Sequence, residues 1–387
     1  MRIRVGLVFG GRSVEHEVSI SSATSILGAL DRERYDVSLI EVDRSGHWHL
    51  RDADHFATEQ PGKGREVSLA PVPGAATLFP LSFPLSASVV SGSSDHAIAL
   101  DVIFPIIHGR GGEDGALQGL LELKEIAYVG SGVLGSAVQM DKDIAKKLLA
   151  QAGIPVLPWL SYRQHELDGD GLDRAVSGVG DELGFPVFVK PANSGSSVGI
   201  GKARDADELV SAIREAVGHD DKIIVERALD AREIEVAVLG DALPEASIPG
   251  EIVPPHEFYD YEAKYLDNTT ELLIPAPLPD EKSHALRAMA LKAFRAVEGA
   301  GMARVDFLVD RATGEAFVNE LNSLPGFTNA SMYARLWEAS GLPYPKLLDR
   351  LIDLALERRS SRNQFRREIH HDGSSPGDRP ASSGDNG

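Results

Sequence analysis

Residues 3–9, IRVGLVF, are mostly apolar and stop at Gly10-Gly11. A short apolar run ended by turn residues is the pattern of a strand buried on both faces. Residues 15–30 follow with helical character, 35–42 read as the next strand and 98–107 as another. This order predicts a βαβ opening and a parallel sheet. Residues 52–96 are rich in Pro, Gly, Ser and Ala and predict a long surface excursion. A helix is predicted over 134–152, closed by Gly153 and Pro155. FPVFVK (185–190) reads as a strand, ANSGSSVG (192–199) as a turn of small residues, and KIIVERAL (222–229) as a strand running into linker-like ALDA. The cleanest helical period lies in 280–300, where Leu286, Met289, Ala290, Ala293, Phe294 and Val297 share one face. ARVDFLVD, RATGE and AFVNELN (303–322) then read as strand, loop and strand. Short helices over 331–340 and 345–359 close the folded part. Residues 360–387 hold little that could be buried and predict a disordered tail. No internal repeat is evident.

Composition narrows the class. A chain of 387 residues predicts two or three domains. The formal net charge of −19 argues against nucleic acid, whose binders need a basic surface. The absence of cysteine removes thiolate catalysis and zinc–thiolate sites and fits a reducing compartment. At the N-terminus the apolar run VGLVF meets Gly-Gly and charges at once, so neither a signal peptide nor a membrane span is expected there. A cytoplasmic enzyme is the working class.

The candidate chemistry concentrates in FVNELNSLPGFTNAS (317–331). Side chains alternate along a strand, so Glu320 and Asn322 share a face, as do Arg304 and Asp306 on the preceding strand. A register that pairs even with even numbers puts all four together, and a one-residue slip separates them. Asp, Glu and Asn oxygens are hard ligands that suit Mg²⁺ or Mn²⁺ and favour a site shared with nucleotide phosphates; a merely solvated hairpin face is the alternative. The P-loop pattern is absent. GSGVLG (130–135) matches G-x-G-x-x-G, but it is not the first βα turn and no acidic residue ends a strand about twenty positions later, so it reads as a tight turn. Lys190 precedes a small-residue turn of the kind that admits phosphate oxygens. Lys142 lies early in a helix. Each lysine taken alone is more readily a surface charge than a phosphate ligand. Glu15 follows the first strand, where ligands bind in open α/β sheets, although a first-turn carboxylate also favours the helix dipole. His108 ends a strand before a glycine-rich loop, which points to a substrate site. YDYEAKY (259–265) is too aromatic and charged for an inert loop and suggests a lid.

Together these stretches resemble D-alanine–D-alanine ligases of the ATP-grasp superfamily. GGRSVEHEVS, HGRGGEDG, MDK, VKPANSGSSVG, YDYEAKY, RVDF and NELNSLPGFTNAS occur in family order, and the resemblance spans about residues 1–358. It implies a three-domain α/β ATP-grasp architecture. An N-terminal parallel-sheet (pre-ATP-grasp) substrate domain would occupy 1–140 and a central subdomain 141–230. A C-terminal subdomain with the metal site and lid would occupy 231–359, and the tail 360–387. By matching position, Asp306, Glu320 and Asn322 would hold two Mg²⁺ or Mn²⁺ ions, with Glu320 bridging. Lys142 and Lys190 would contact ATP phosphates. Glu226, Arg227 and Leu229 would face adenine, Glu233 the ribose, and Phe258 would pack on adenine. Glu15 would hold the first D-alanine's ammonium, fixed by Ser196 and Tyr265. Ser331 and Met332 would bind the second D-alanine's carboxylate, with Lys264 nearby. Arg304 and the Gly326 N–H would stabilise the oxyanion. The resemblance also implies a homodimer.

Three positions depart from the family pattern: Ala334 stands where proline is expected, Asn319 where some members carry an acid, and Arg227 where some carry lysine. Competing readings are a related ligase with D-lactate or D-serine as acceptor, an NAD-dependent dehydrogenase built on GSGVLG, and a nucleotide-binding module without turnover.

Overall fold

The computed structural model describes residues 1–52, 64–69, 77–81, 97–253 and 271–364, which form three sheets in chain order. In the first, Ile3–Gly10 pairs in parallel with Tyr35–Val42 on one side and Val102–Pro105 on the other, and helix His16–Ala29 makes the crossover. Val5, Leu7, Val8 and Phe9 have no exposed surface, as expected for a strand covered on both faces. The sheet grows past Tyr35–Val42 by antiparallel strands Trp48–Arg51, Arg65–Leu69, Thr77–Pro80 and Ile98–Ala99. The described parts of the presumed surface excursion are therefore sheet, with Val67 and Leu78 in the core. The apolar run 98–107 is also not one strand. It changes partner at Asp101, whose carboxylate accepts the Arg4 backbone N–H at 2.8 Å and two guanidinium bonds.

The second sheet is antiparallel, with strands ordered Gly201–Ala203, Val187–Pro191, Lys222–Arg227 and Trp159–Arg163. The third runs Glu271–Leu273, Gly250–Val253, Ala231–Gly240, Gly301–Asp310, Ala316–Asn322. Helix Asp280–Ala296 covers it through Leu286, Ala290, Ala293 and Phe294, the face the periodicity singles out.

The C-terminal helices Met332–Ala339 and Tyr344–Arg362 return to the first sheet. Phe104, Phe327, Tyr333 and Tyr344 meet there, with Phe104 and Phe327 edge to face at 5.8 Å. The last helix runs beyond the point where the tail was expected to begin. Arg359 pairs with Glu125 at 2.9 Å and Arg362 pairs with Glu122, so residues 360–362 are docked. The rest of the expected tail, from 365 on, lies outside the described residues. No helix among the described residues is long and apolar enough to cross a membrane.

Candidate active site

The hairpin Gly301–Asp310 and Ala316–Asn322 carries the hard-oxygen set. Its turn is fixed by Asp310, whose Oδ1 accepts the N–H of Ala312 at 2.7 Å and of Thr313 at 2.8 Å. Near this turn Val309 pairs with Ala316 and Phe307 with Val318, an odd-with-even register. Continued, it would send Glu320 to the face opposite Asp306. A β-bulge prevents this. Asn319 is the extra residue, after which Asp306 faces Glu320 and Arg304 faces Asn322. Asn319 and Glu320 are consecutive half-buried positions in an otherwise alternating strand, so the bulge adds a fifth polar side chain to the face.

That face forms one wall of a cleft of about 830 Å³ between the second and third sheets. Met140, Leu157, Phe188, Ile252 and Leu321 supply apolar lining, and the lysines and carboxylates line the remainder. The size and the mixture suit a small-molecule site. Arg304 donates to both Asp306 oxygens at 2.7 Å and pairs with buried Glu235 at 3.0 Å. Asn322 Nδ2 donates to Asp306 Oδ2 at 2.9 Å. Lys142 Nζ stands 3.3 Å from Glu320 and donates to the Ser194 carbonyl at 2.7 Å.

Lys142 gets its place from a break in the predicted helix 134–152. Asp141 leaves helical geometry at ψ 100° and its side chain accepts the Ile144 N–H, ending Val133–Met140 and capping Lys142–Gln151. Lys190, on Val187–Pro191, pairs with Glu226 and donates to Asn319 Oδ1 at 3.2 Å. Lys146, one helical turn after Lys142, is also buried, meets Glu226 at 2.6 Å and lies 5.5 Å over the Trp159 ring. Burial would raise the Glu226 carboxyl, but the two ammonium groups outweigh it and hold it at about 2. Burial lowers Lys146, while Lys190 ends above its usual range because Glu226 overrides its burial.

Beyond Glu226, the Arg227 and Ala228 amides donate to the carbonyls of Pro158 and Pro186. The Leu229 N–H has no acceptor among the described residues, and Leu229 and Glu233 both line the cleft. The exposed Arg227 guanidinium donates to the Leu183 carbonyl at 3.0 Å.

At the other end, Ser196 donates to Glu15 across the first and second units. A Cβ at Gly109 would lie 2.7 Å from Glu15 and one at Gly195 2.9 Å, so only glycine admits this carboxylate between the two loops. Ser196 and Ser197 hold positive φ of 48° and 58°, the kind of local strain that collects at ligand sites.

His108 is buried rather than open to a ligand. Its Nδ1 is 2.9 Å from the Leu324 carbonyl and its Nε2 is 3.2 Å from Ser22 Oγ. Ser331 Oγ interacts with Thr328, and helix Met332–Ala339 starts without a side-chain cap, leaving first-turn amides for a ligand. Phe258, Lys264, Tyr265 and the YDYEAKY lid lie outside the described residues. The glycines of GSGVLG serve packing, since a Cβ at Gly135 would lie 2.2 Å from the Glu298 carbonyl oxygen.

Sequence reasoning passed over Glu113, Glu235 and Lys146. Glu235 is signalled by its i, i+2 relation to Glu233 on one strand, and Glu113 by its place within HGRGGEDG. Burial and the charge of Glu15 push Glu113 up to about 8 from 4.5, against the amides of Gly109 and Leu324 that it accepts. Its folded pKa thus exceeds its unfolded one, and the folded state keeps a proton that the unfolded chain releases. Ligand-free stability should fall as pH rises from 4.5 to about 8 and then level off. In Glu113→Gln this share of the slope vanishes. Thermal midpoints of the two proteins across that range check it, and parallel curves would refute it.

Residues 4–131 match the sequence family described as D-ala D-ala ligase N-terminus, and residues 148–353 the one described as D-ala D-ala ligase C-terminus. The chain belongs to the D-alanine–D-alanine ligase family. A D-alanine–D-alanine ligase of Heliobacterium modesticaldum is 48% identical over 360 residues, covering 92% of this chain and 96% of the relative. Among solved structures, the D-alanine–D-alanine ligase of Coxiella burnetii matches with a TM-score of 0.80 and 36% identity, covering 94% of this chain and 96% of that one. VanG D-Ala:D-Ser ligase of Enterococcus faecalis matches with a TM-score of 0.80 and 31% identity, covering 92% and 100%. The fold is that of ATP-grasp ligases, as the resemblance implied.

Proposed function

We propose that the protein joins two D-alanine molecules to D-alanyl-D-alanine at the expense of ATP, supplying a peptidoglycan precursor in the cytoplasm. The observation that carries this reading is the bulged hairpin, which gathers Arg304, Asp306, Asn319, Glu320 and Asn322 on one cleft wall opposite Lys142 and Lys190. Division into units at 1–140, 141–230 and 231–359 is supported by the three sheets, although the last helices of the third pack on the first. A homodimer is the assembly the family resemblance favours, and sedimentation at assay concentration tests it.

ATP lies between the second and third sheets. Glu226, Arg227 and Leu229 meet the adenine edge, the Leu229 N–H, without an acceptor among the described residues, serving as a donor, and Glu233 takes the ribose hydroxyls. Asp306, Glu320 and Asn322 fit two Mg²⁺ or Mn²⁺ ions because all three offer hard oxygen atoms on one half-buried face. When bound, such ions neutralise phosphate charge during transfer. Lys142 and Lys190 are held at the cleft by Glu320 and Glu226, where both can turn to phosphate oxygens.

Glu15, steadied by Ser196, receives the first D-alanine's ammonium, and Tyr265 is assigned to the same chain of contacts. The donor carboxylate attacks the γ-phosphorus, ADP leaves, and D-alanyl phosphate forms. The second D-alanine binds its carboxylate at Ser331 and the Met332 amide, with Lys264. Its amine attacks the acyl carbon, the C–O bond to phosphate breaks, and the amine proton is lost. Arg304 and the Gly326 N–H stabilise the oxyanion. Phe258 is assigned to the adenine face by the family resemblance alone.

Phosphate release in the presence of ATP and Mg²⁺, run over D-alanine, D-serine and D-lactate as acceptors with D-alanine as donor, tests the reading. D-Alanyl-D-alanine is expected to dominate at equal acceptor concentrations. Dominant D-alanyl-D-serine would move the protein to the acceptor class that VanG represents, dominant D-alanyl-D-lactate would make it an ester-forming ligase, and release independent of D-alanine would refute the ligase reading.

A further inference from the structure

Residues 323–329 belong to the C-terminal half of the chain, yet among the described residues four of the six side-chain hydrogen bonds to their backbone come from the N-terminal unit. The Leu324 N–H donates to Glu113 Oε1 at 3.0 Å, and the Leu324 carbonyl accepts from His108 Nδ1 at 2.9 Å. The Phe327 N–H donates to Ser22 Oγ at 3.3 Å, and the Asn329 N–H to Ser25 Oγ at 3.0 Å. The Thr328 N–H goes to Ser331 Oγ at 3.0 Å, and the Phe327 carbonyl accepts from Tyr344 at 2.7 Å. Between Leu324 and Phe327 stand Pro325, which has no N–H, and Gly326, whose N–H has no acceptor among the described residues.

The bonds around Gly326 form a directional chain. A carbonyl only accepts, so His108 Nδ1 carries the proton given to Leu324, and Nε2 is then the acceptor for Ser22 Oγ–H at 3.2 Å. Ser22 Oγ in turn accepts from the Phe327 N–H. The relay thus joins the carbonyl two residues before Gly326 to the amide one residue after it. Its polarity requires neutral imidazole, and burial lowers the His108 pKa in agreement. Glu113 fixes the other side of Leu324 and also accepts the Gly109 N–H at 2.7 Å, binding the loop that bears His108 to the same point.

We infer that Ser22, His108 and Glu113 are positioning residues that clamp the 323–327 loop and aim the Gly326 N–H at the carbonyl oxygen of the acyl phosphate in the second half-reaction. The inference rests on the ligase reading, in which Gly326 is the oxyanion donor. The N-terminal unit then does more than hold the first D-alanine through Glu15, because it also completes the oxyanion site of the C-terminal unit. His108 acts through Leu324 and not by touching substrate. Buried polar groups whose partners are removed cost about 1–3 kcal/mol each, enough to let a short loop choose another arrangement.

The consequence is a split between the two half-reactions. Formation of D-alanyl phosphate uses the lysines, the hairpin face and Glu15; Ser22 is not part of the cleft lining, whereas Glu113 lines the cleft and feels the charges of Glu15 and Glu320. Attack on the acyl carbon uses the Gly326 N–H. Ser22→Ala breaks the relay at a small buried position, and Glu113→Ala removes the second tether. Both are compared with the unaltered protein at about pH 9, where Glu113 is ionised. Positional isotope exchange in ATP carrying ¹⁸O in the β,γ-bridge reports the first half-reaction, and single-turnover dipeptide formation reports the second. In Ser22→Ala exchange should stay within about threefold, while dipeptide formation falls about 10- to 100-fold, less than the 10²–10³ for outright loss of an oxyanion donor; in Glu113→Ala ligation should fall by a larger factor than exchange. Should Glu113→Ala fail to fold, Ser22→Ala alone decides. Equal loss of exchange and ligation, or no loss of ligation in Ser22→Ala, would overturn the clamp. Absence of D-alanine-dependent exchange in the unaltered protein would instead overturn the ligase reading on which it rests.

Discussion

Replacing Glu320 by Gln should lower turnover by about 10³-fold or more, the scale associated with losing a charge-stabilising group at a phosphoryl-transfer site. Glu320 faces Asp306 across the hairpin and lies 3.3 Å from Lys142. The amide keeps the shape but removes the carboxylate that the proposed site would offer to its metal ions, so charge neutralisation around the transferring phosphate would be lost. Folding should hardly change, because the Glu320 side chain is 24% exposed and its ion pair with Lys142 is water-accessible. The check is kcat at saturating Mg²⁺ beside the thermal midpoint. Near-normal turnover would remove Glu320 from the metal site, and a large fall in midpoint would make its role one of stability.

The second large effect is expected in stability. Glu226 is buried between Lys146 and Lys190, both themselves buried or nearly so. Glu226→Gln leaves two ammonium groups without their carboxylate, and breaking a buried pair in this way costs about 3–5 kcal/mol. Adding Lys146→Met should restore part of the loss, since the uncompensated charge goes while the side-chain volume remains. Denaturant unfolding of the two single variants and the double variant reads the coupling. Simple additivity would show that Lys146 and Glu226 do not act as a unit. ATP affinity should fall in Glu226→Gln and stay low in the double variant, because Glu226 lines the cleft proposed to hold adenine.

Much of this organisation is legible in the sequence, and the exceptions have local physical causes. The strands 3–9 and 35–42 and the helix 280–300 declare themselves because one period dominates each. The hairpin face was readable as a set of residues, but the reason it works was not. The odd-with-even pairing beside the turn would have separated Asp306 from Glu320, and only the bulge at Asn319 brings them together. A bulge depends on which backbone bonds the partner strand can offer, and FVNEL carries no mark of it. The helix break at Asp141 was available in principle, since Asp is a strong N-cap, yet the apolar period runs smoothly through it. Tail composition hid the docking of Arg362, because a pairing with Glu122 lies 240 positions away. His108 illustrates the same limit: its strand-end position points to a site, while its buried link to Leu324 spans 216 positions. Sequence patterns report neighbours along an element, and the polar contacts that join the two halves of this protein are long-range.

The transfer of oxygen tests the account most directly. D-Alanine labelled with ¹⁸O in its carboxylate is incubated with ATP, Mg²⁺ and the purified protein, and the products are weighed by mass spectrometry. Attack of the donor carboxylate on the γ-phosphorus predicts one labelled oxygen in inorganic phosphate for each dipeptide formed, with the donor's other label in the new peptide carbonyl. Dipeptide formed with no label in the phosphate, or ATP hydrolysis without dipeptide, would contradict it.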